Sequence, residues 1–157
     1  MSVQGLKRLQ VWVRTKDFAI TVYKKVLPLM PPEEKWALKQ QIRRSSVSVS
    51  ANIAEGYGRY YFQENVRFCY IARGSLEETL SNLVFSHEVG YIPKEIYQKL
   101  EKEGEELGRM LNGYIAYLKK SKRGKNEPGA KHFVREENAD YIVEATDEFE
   151  EELDYRE

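Results

Sequence analysis

Apolar residues recur along this chain at helical spacing, in four runs of similar length. In the first, Leu9, Val13, Ile20, Tyr23, Leu27 and Met30 fall at alternating steps of four and three, with Lys16 in the one polar slot. That pattern is one face of a helix, widened by Trp12, Ala19 and Val26. Pro28 lies near its end and Pro31-Pro32 stop it. Pro32-Glu33-Glu34 suits the first turn of a second helix, because proline fits there and carboxylates favour its positive end. Its stripe is Leu38, Ile42, Ser46, Val49, Ile53 and Tyr57, and Gly56 and Gly58 weaken and end it. The third runs from about residue 63 to 87 on Val66, Cys69, Leu76, Leu80 and Leu83, with Arg73 in the slot between and Gly90 placed as a stop. The fourth starts at Pro93-Lys94-Glu95 and carries Ile96, Leu100, Leu107, Leu111, Tyr114 and Leu118. Gly104, Gly108 and Gly113 fall inside it. Each costs about 1 kcal/mol relative to alanine, so close contact with a neighbouring helix is the expected compensation.

Runs of about 24 to 28 residues joined by short links predict an all-α protein, an antiparallel up-down-up-down four-helix bundle over residues 1–121. Beyond it the text changes. Residues 122–129 (Lys-Arg-Gly-Lys-Asn-Glu-Pro-Gly) read as a linker, and the rest of 122–157 as an acidic, largely disordered tail. Ile142, Thr146, Phe149 and Leu153 line one side of a helix that is marginal alone.

Composition adds little to the fold and more to the electrostatics. Of 157 residues, 41% are hydrophobic and 32% charged, which fits a globular helical chain. The longest apolar run is residues 114–118, too short to span a membrane, and the N-terminus carries no secretory h-region. A lone cysteine, Cys69, points to a reducing, cytoplasmic setting. The zero net charge hides an asymmetry: residues 1–124 hold 21 Lys and Arg against 13 Asp and Glu, residues 125–157 hold 4 against 12. A basic body with an acidic tail fits either a polyanion-binding protein or ordinary solvated helices. In the first case the tail lies over the body and competes with phosphate.

Candidate chemistry is sparse. Cys69 sits on an apolar stripe and reads as a packing residue rather than a nucleophile. With two histidines, His87 and His132, there are too few ligands for a di-iron bundle, and no zinc spacing occurs. No metal, cofactor or catalytic residue is expected, and the chain reads as a non-enzyme. Glu55 and Glu77 are the carboxylates worth weighing. They form either a paired-carboxylate site or, favoured here, part of a structural polar cluster in which Asn52, Glu55, Ser75 and Glu77 fix helix register. Residues 41–59 (QIRRSSVSVSANIAEGYGR) combine small side chains, suited to tight helix packing, with cations on the outer side. Arg43, Arg44, Arg59, Arg67 and Arg73, with Lys7, Arg8 and Arg14, are the candidates for contacting phosphate. Tyr57, Tyr60, Tyr61 and Phe62 around Arg59 either cap the core or stack on unpaired bases.

Several of these segments resemble one family. Gln41-Ile42-Arg43-Arg44, Val47-Ser48-Val49, Asn52-Ile53-Ala54-Glu55-Gly56 and Gly58-Arg59 look like the signature of four-helix bundle proteins encoded in 23S rRNA intervening sequences. Gly74-Ser75-Leu76-Glu77-Glu78 resembles a second signature, and Val11-Trp12 and Gly90-Tyr91-Ile92 also fit. The likeness covers about residues 6 to 120. The family often has proline where Ser50 stands, so a kink is less expected there. The resemblance extends to the accessory variability determinant of diversity-generating retroelements. It implies a homo-oligomer, a pentamer by that likeness, with a basic surface for RNA or DNA, acting as an accessory to another nucleic-acid enzyme. The alternative is a protein-interaction scaffold whose acidic tail docks a protein partner.

Overall fold

The computed structural model describes residues 3–59 and 61–121. Among them every regular element is a helix: a short α1 (Val3–Leu6), then α2 (Gln10–Lys25), α3 (Leu38–Gly58), α4 (Phe62–Glu88) and α5 (Lys94–Lys120). The expectations about the linker, the acidic segment and its marginal helix fall on residues outside this description.

The later helices lie where the pattern puts them. The earlier ones do not, for local reasons. α2 has 16 residues instead of a span reaching Met30. Pro28 is enough to end it, since it removes a backbone donor and its ring clashes with the carbonyl four residues back. The chain tightens into a 3₁₀ turn over Leu27–Leu29. Pro32–Trp36 is also 3₁₀ rather than the start of α3, and Ala37 breaks the path at φ −115°, ψ −115°. The carboxylate of Glu34 still serves the positive end of α3. It accepts a hydrogen bond from the Leu38 backbone N–H at 3.0 Å, and its other oxygen receives the Tyr91 hydroxyl at 3.3 Å. One side chain thus ties the α2–α3 connection to the α4–α5 connection.

The first predicted stripe holds in part: Leu27 and Met30, with the flanking Ala19 and Val26, are buried, but within α2 another face turns to the core. The core-facing residues are Val11, Thr15, Phe18 and Val22, while Ile20 and Tyr23 are each 42% exposed and Leu9, Trp12 and Val13 half-buried. Both sets recur at steps of three and four, so α2 is apolar on two opposite sides and the bundle takes one. Thr15 enters the core because its hydroxyl is satisfied within the helix, donating to the carbonyls of Val11 (2.8 Å) and Trp12 (3.1 Å).

The other stripes pack as read. Ile42, Val49, Ile53, Val66, Leu76, Leu83, Leu100, Leu107 and Leu111 join Phe18 and Val22 in one cluster. α3 packs on α2 and α4, and α5 on α4 and α2. Direction follows from cross-helix bonds. Thr79 donates to Ser45 (2.9 Å), Ser48 and Ser75 share a bond (2.9 Å), and Arg44 meets Glu78 (3.0 Å). As numbers rise on α3 they fall on α4, so the pair is antiparallel. Asn65–Tyr114 (3.5 Å) and Arg73–Asn112 (3.2 Å) establish the same for α4 and α5.

Glycine makes two of these approaches possible. A Cβ on Gly56 would lie 2.9 Å from Phe68 Cβ and 3.0 Å from the Asn65 carbonyl oxygen, so α3 and α4 touch there through backbone. On Gly104 it would lie 2.3 Å from Leu80 Cδ2, the compensation expected for a glycine inside α5. Gly108 has no such neighbour within 4 Å. Gly90, at φ 86°, closes α4: its N–H bonds to the His87 carbonyl and that of Tyr91 to Ser86, the paired bonds of a Schellman end.

Candidate nucleic-acid interface

The basic residues singled out in the sequence do not form one patch. Arg43 and Arg44 lie in the first half of α3, whereas Arg59 follows its last residue, about 24 Å further along at 1.5 Å per residue. Lys7 and Arg8 are exposed beyond α1, whose Gly5 abuts the Tyr57 ring at that far end. Arg67 is exposed on α4.

Three of the arginines already have carboxylate partners. Arg14 bonds Glu106 across α2 and α5 at 3.3 Å, Arg44 bonds Glu78 at 3.0 Å, and Arg59 pairs with Glu55 while its guanidinium lies 4.7 Å from the centre of the Phe68 ring. Each is partly exposed. Such surface pairs contribute about 0–1 kcal/mol. Arg43 is exposed and has no ion-pair partner among the described residues.

The polar cluster needs a correction. Asn52 and Ser75 do come together, through Ser48: the Asn52 amide donates to the Ser48 carbonyl (2.8 Å) and hydroxyl (2.9 Å), and Ser48 bonds Ser75. Ser75 also donates to the Ile71 carbonyl, and Thr79 with Ser45 adds a second rung. Glu55 and Glu77 are exposed and lie outside the cluster. Short neutral side chains saturate one another here, so a carboxylate would bring a desolvation cost and no missing partner. Glu55 instead stays in water beside Arg59, and the two glutamates make no paired acid–base site.

Cys69 is buried, and burial pushes its thiol up to about 12. Its Sγ donates to Asn65 Oδ1 at 3.6 Å. A thiol held protonated is a poor nucleophile. Among the described residues no group of three His, Cys, Asp or Glu side chains is placed to hold a metal, and no helix is long and apolar enough to cross a membrane.

What sequence reasoning missed is Trp36. Its indole is 75% exposed, with Lys35 Nζ 4.9 Å from the ring centre. Lys39 and Arg43 follow in the sequence at steps of four, and Lys24 and Lys25 end α2. Neither Lys35 nor Lys39 has an ion-pair partner among the described residues. Glu33 is exposed on the same turn, while the Glu34 carboxylate is turned to Leu38 and Tyr91. The signal was present as Lys35, Lys39 and Arg43 at spacing four. It was hidden by assigning Pro32 to an ordinary helical first turn.

The fold has a solved counterpart. A protein of unknown function from the S23 ribosomal protein family of Bacteroides thetaiotaomicron VPI-5482, whose crystal structure is at 1.70 Å resolution, is similar with a TM-score of 0.62. The likeness covers 67% of this chain and 97% of that one at 23% identity, which speaks for the fold alone. No curated protein matches the chain. The signature segments on α3 and α4 lie inside a match to 23S rRNA-intervening sequence proteins over residues 7–113, and the chain belongs to that family.

Proposed function

We propose that this protein is a non-enzymatic, homo-oligomeric helical bundle, up-down-up-down in topology, that binds single-stranded RNA or DNA at the corner carrying Lys35, Trp36, Lys39 and Arg43. The observation that carries the reading is Trp36. The indole is 75% exposed, and the Lys35 ammonium beside its ring has no carboxylate partner among the described residues. An aromatic face beside unpaired cations suits a nucleic acid with unstacked bases: the base stacks and the phosphates are neutralised. Arg44 joins by exchanging Glu78 for phosphate. Arg59, Arg67, Lys7, Arg8 and Arg14 serve longer strands. Self-assembly is supported by the second apolar side of α2, which the single chain leaves in water; the resemblance to the accessory variability determinant implies five copies and a role beside another nucleic-acid enzyme.

Fluorescence anisotropy with labelled 20-nucleotide single strands and a matching duplex tests the binding. Three phosphate contacts give a salt slope of about −2 on single strands, so affinity falls about 20-fold between 50 and 200 mM salt. Trp36→Ala removes a stacking platform worth about 1–3 kcal/mol, weakening single-strand binding roughly 5- to 150-fold. The double variant Lys39→Glu/Arg43→Glu weakens it further. Absence of binding at 50 mM salt, or variants that bind as the parent does, overturns the reading.

A further inference from the structure

The uncovered side of α2 has a matching surface elsewhere on the molecule. Between α4 and α5 runs an open groove of about 440 Å³. Leu80, Leu83 and Val84 wall it, and its floor is low at Gly108, which has no side chain and nothing within 4 Å of where a Cβ would stand. Three carboxylates, Glu77, Glu101 and Glu105, stand on its rim against one cation, Arg109. The groove is therefore apolar inside and acidic at the edge. α2 presents the converse. Val13, Ile20 and Tyr23 line its outer side, seven and then three residues apart, and residues 7–25 carry six Lys and Arg against Asp17 alone.

We propose that the outer side of α2 docks into the α4–α5 groove of a second copy of this chain, Ile20 and Val13 entering between Leu80 and Gly108 while the cations flanking α2 meet Glu101 and Glu105. The inference rests on the self-assembly proposed above and names its two surfaces. Two features commit the groove to this occupant: the charges are complementary, and the α2 stripe repeats at a/d spacing, the pattern of a helix packed against other helices. The two surfaces are different parts of the molecule, so the contact is head-to-tail. Each copy donates α2 to one neighbour and receives it from another, closing a ring or extending a chain.

The architecture makes a sharp test possible on the full chain. Gly108→Gln puts a side chain into the groove from a position where nothing lies within 4 Å of a Cβ. Ile20→Glu puts a charge on the donor side at an exposed position. Light scattering on each purified variant should give a monomer of 18.4 kDa, with circular dichroism and melting those of a folded chain. Mixing the two variants should then give a species of two chains and no larger, since an intact α2 enters an intact groove and both outer ends are blocked. A face-to-face contact between two α2 helices does not produce that species. If either variant keeps the parent's assembly, or the mixture stays monomeric, the proposed surfaces are wrong while self-assembly stands. A parent that is monomeric at tens of micromolar overturns both.

Discussion

Gly56→Ala tests the central packing claim, that α3 and α4 meet through backbone. The added Cβ would sit 2.9 Å from Phe68 Cβ and from Asn65 Oδ1, and 3.0 Å from the Asn65 carbonyl oxygen. Carbon atoms pack best at about 3.5–4.0 Å. Two of the three neighbours belong to backbone or to an atom fixed by it, so no rotamer change relieves them. The helices must part by several tenths of an ångström where Asn65 also holds Tyr114 and Cys69. Overpacking of this kind costs about 1–3 kcal/mol. Against it stands a gain of about 1 kcal/mol from replacing a helical glycine. The net expectation is a loss of about 1 kcal/mol. Gly74→Ala is the internal control: Gly74 is an exposed glycine inside α4 with nothing within 4 Å of its Cβ, so only the gain applies. Urea denaturation followed at 222 nm should move the two midpoints in opposite directions, with a separation of about 2 kcal/mol after multiplying by the slope. Equal shifts, or a stabilised Gly56→Ala, would show that the two helices are not in backbone contact.

Two further outcomes follow from named contacts. Glu34→Ala removes the acceptor for the Leu38 N–H and should cost about 1 kcal/mol, the usual value of a helix cap, in the same urea assay; an unchanged midpoint would mean the carboxylate does not cap α3. Cys69 gives a pH dependence: its thiol titrates near 9 when unfolded and about 12 when buried, so above pH 9 the unfolded chain sheds a proton that the native chain keeps. Stability should therefore fall as pH rises from 9 towards 12, and Cys69→Ala should abolish that part of the slope; a slope identical in the variant would refute the assignment.

Much of the fold was legible because three stripes were unambiguous. α4 spans Phe62–Glu88 against an expected 63–87, since Val66, Cys69, Leu76 and Leu83 recur at helical spacing and Gly90 supplies its stop. α2 was not legible in the same way. Val11, Phe18 and Val22 compete with Leu9, Val13 and Ile20 at the same spacing, and periodicity alone does not say which side a monomer buries. The start of α3 was misread because a proline and two acids suit a 3₁₀ turn as well as an α-helical one. At the candidate site Arg43 was visible as a cation. Trp36 was not, since an aromatic next to a helix start reads as core until its exposure is known. Asn52 and Ser75 were recognised as partners, but Ser48, whose hydroxyl joins them, looked like one more small residue.

The double duty of Glu34 bears on how a ligand would be met. By accepting from the Leu38 N–H with one oxygen and from the Tyr91 hydroxyl with the other, it ties the turn that carries Trp36 to the start of α3 and to the α4–α5 connection. The indole is thus mounted on an already rigid corner, and the entropy of fixing that corner is spent during folding. A base arriving there would find its platform set and would surrender mainly its own freedom.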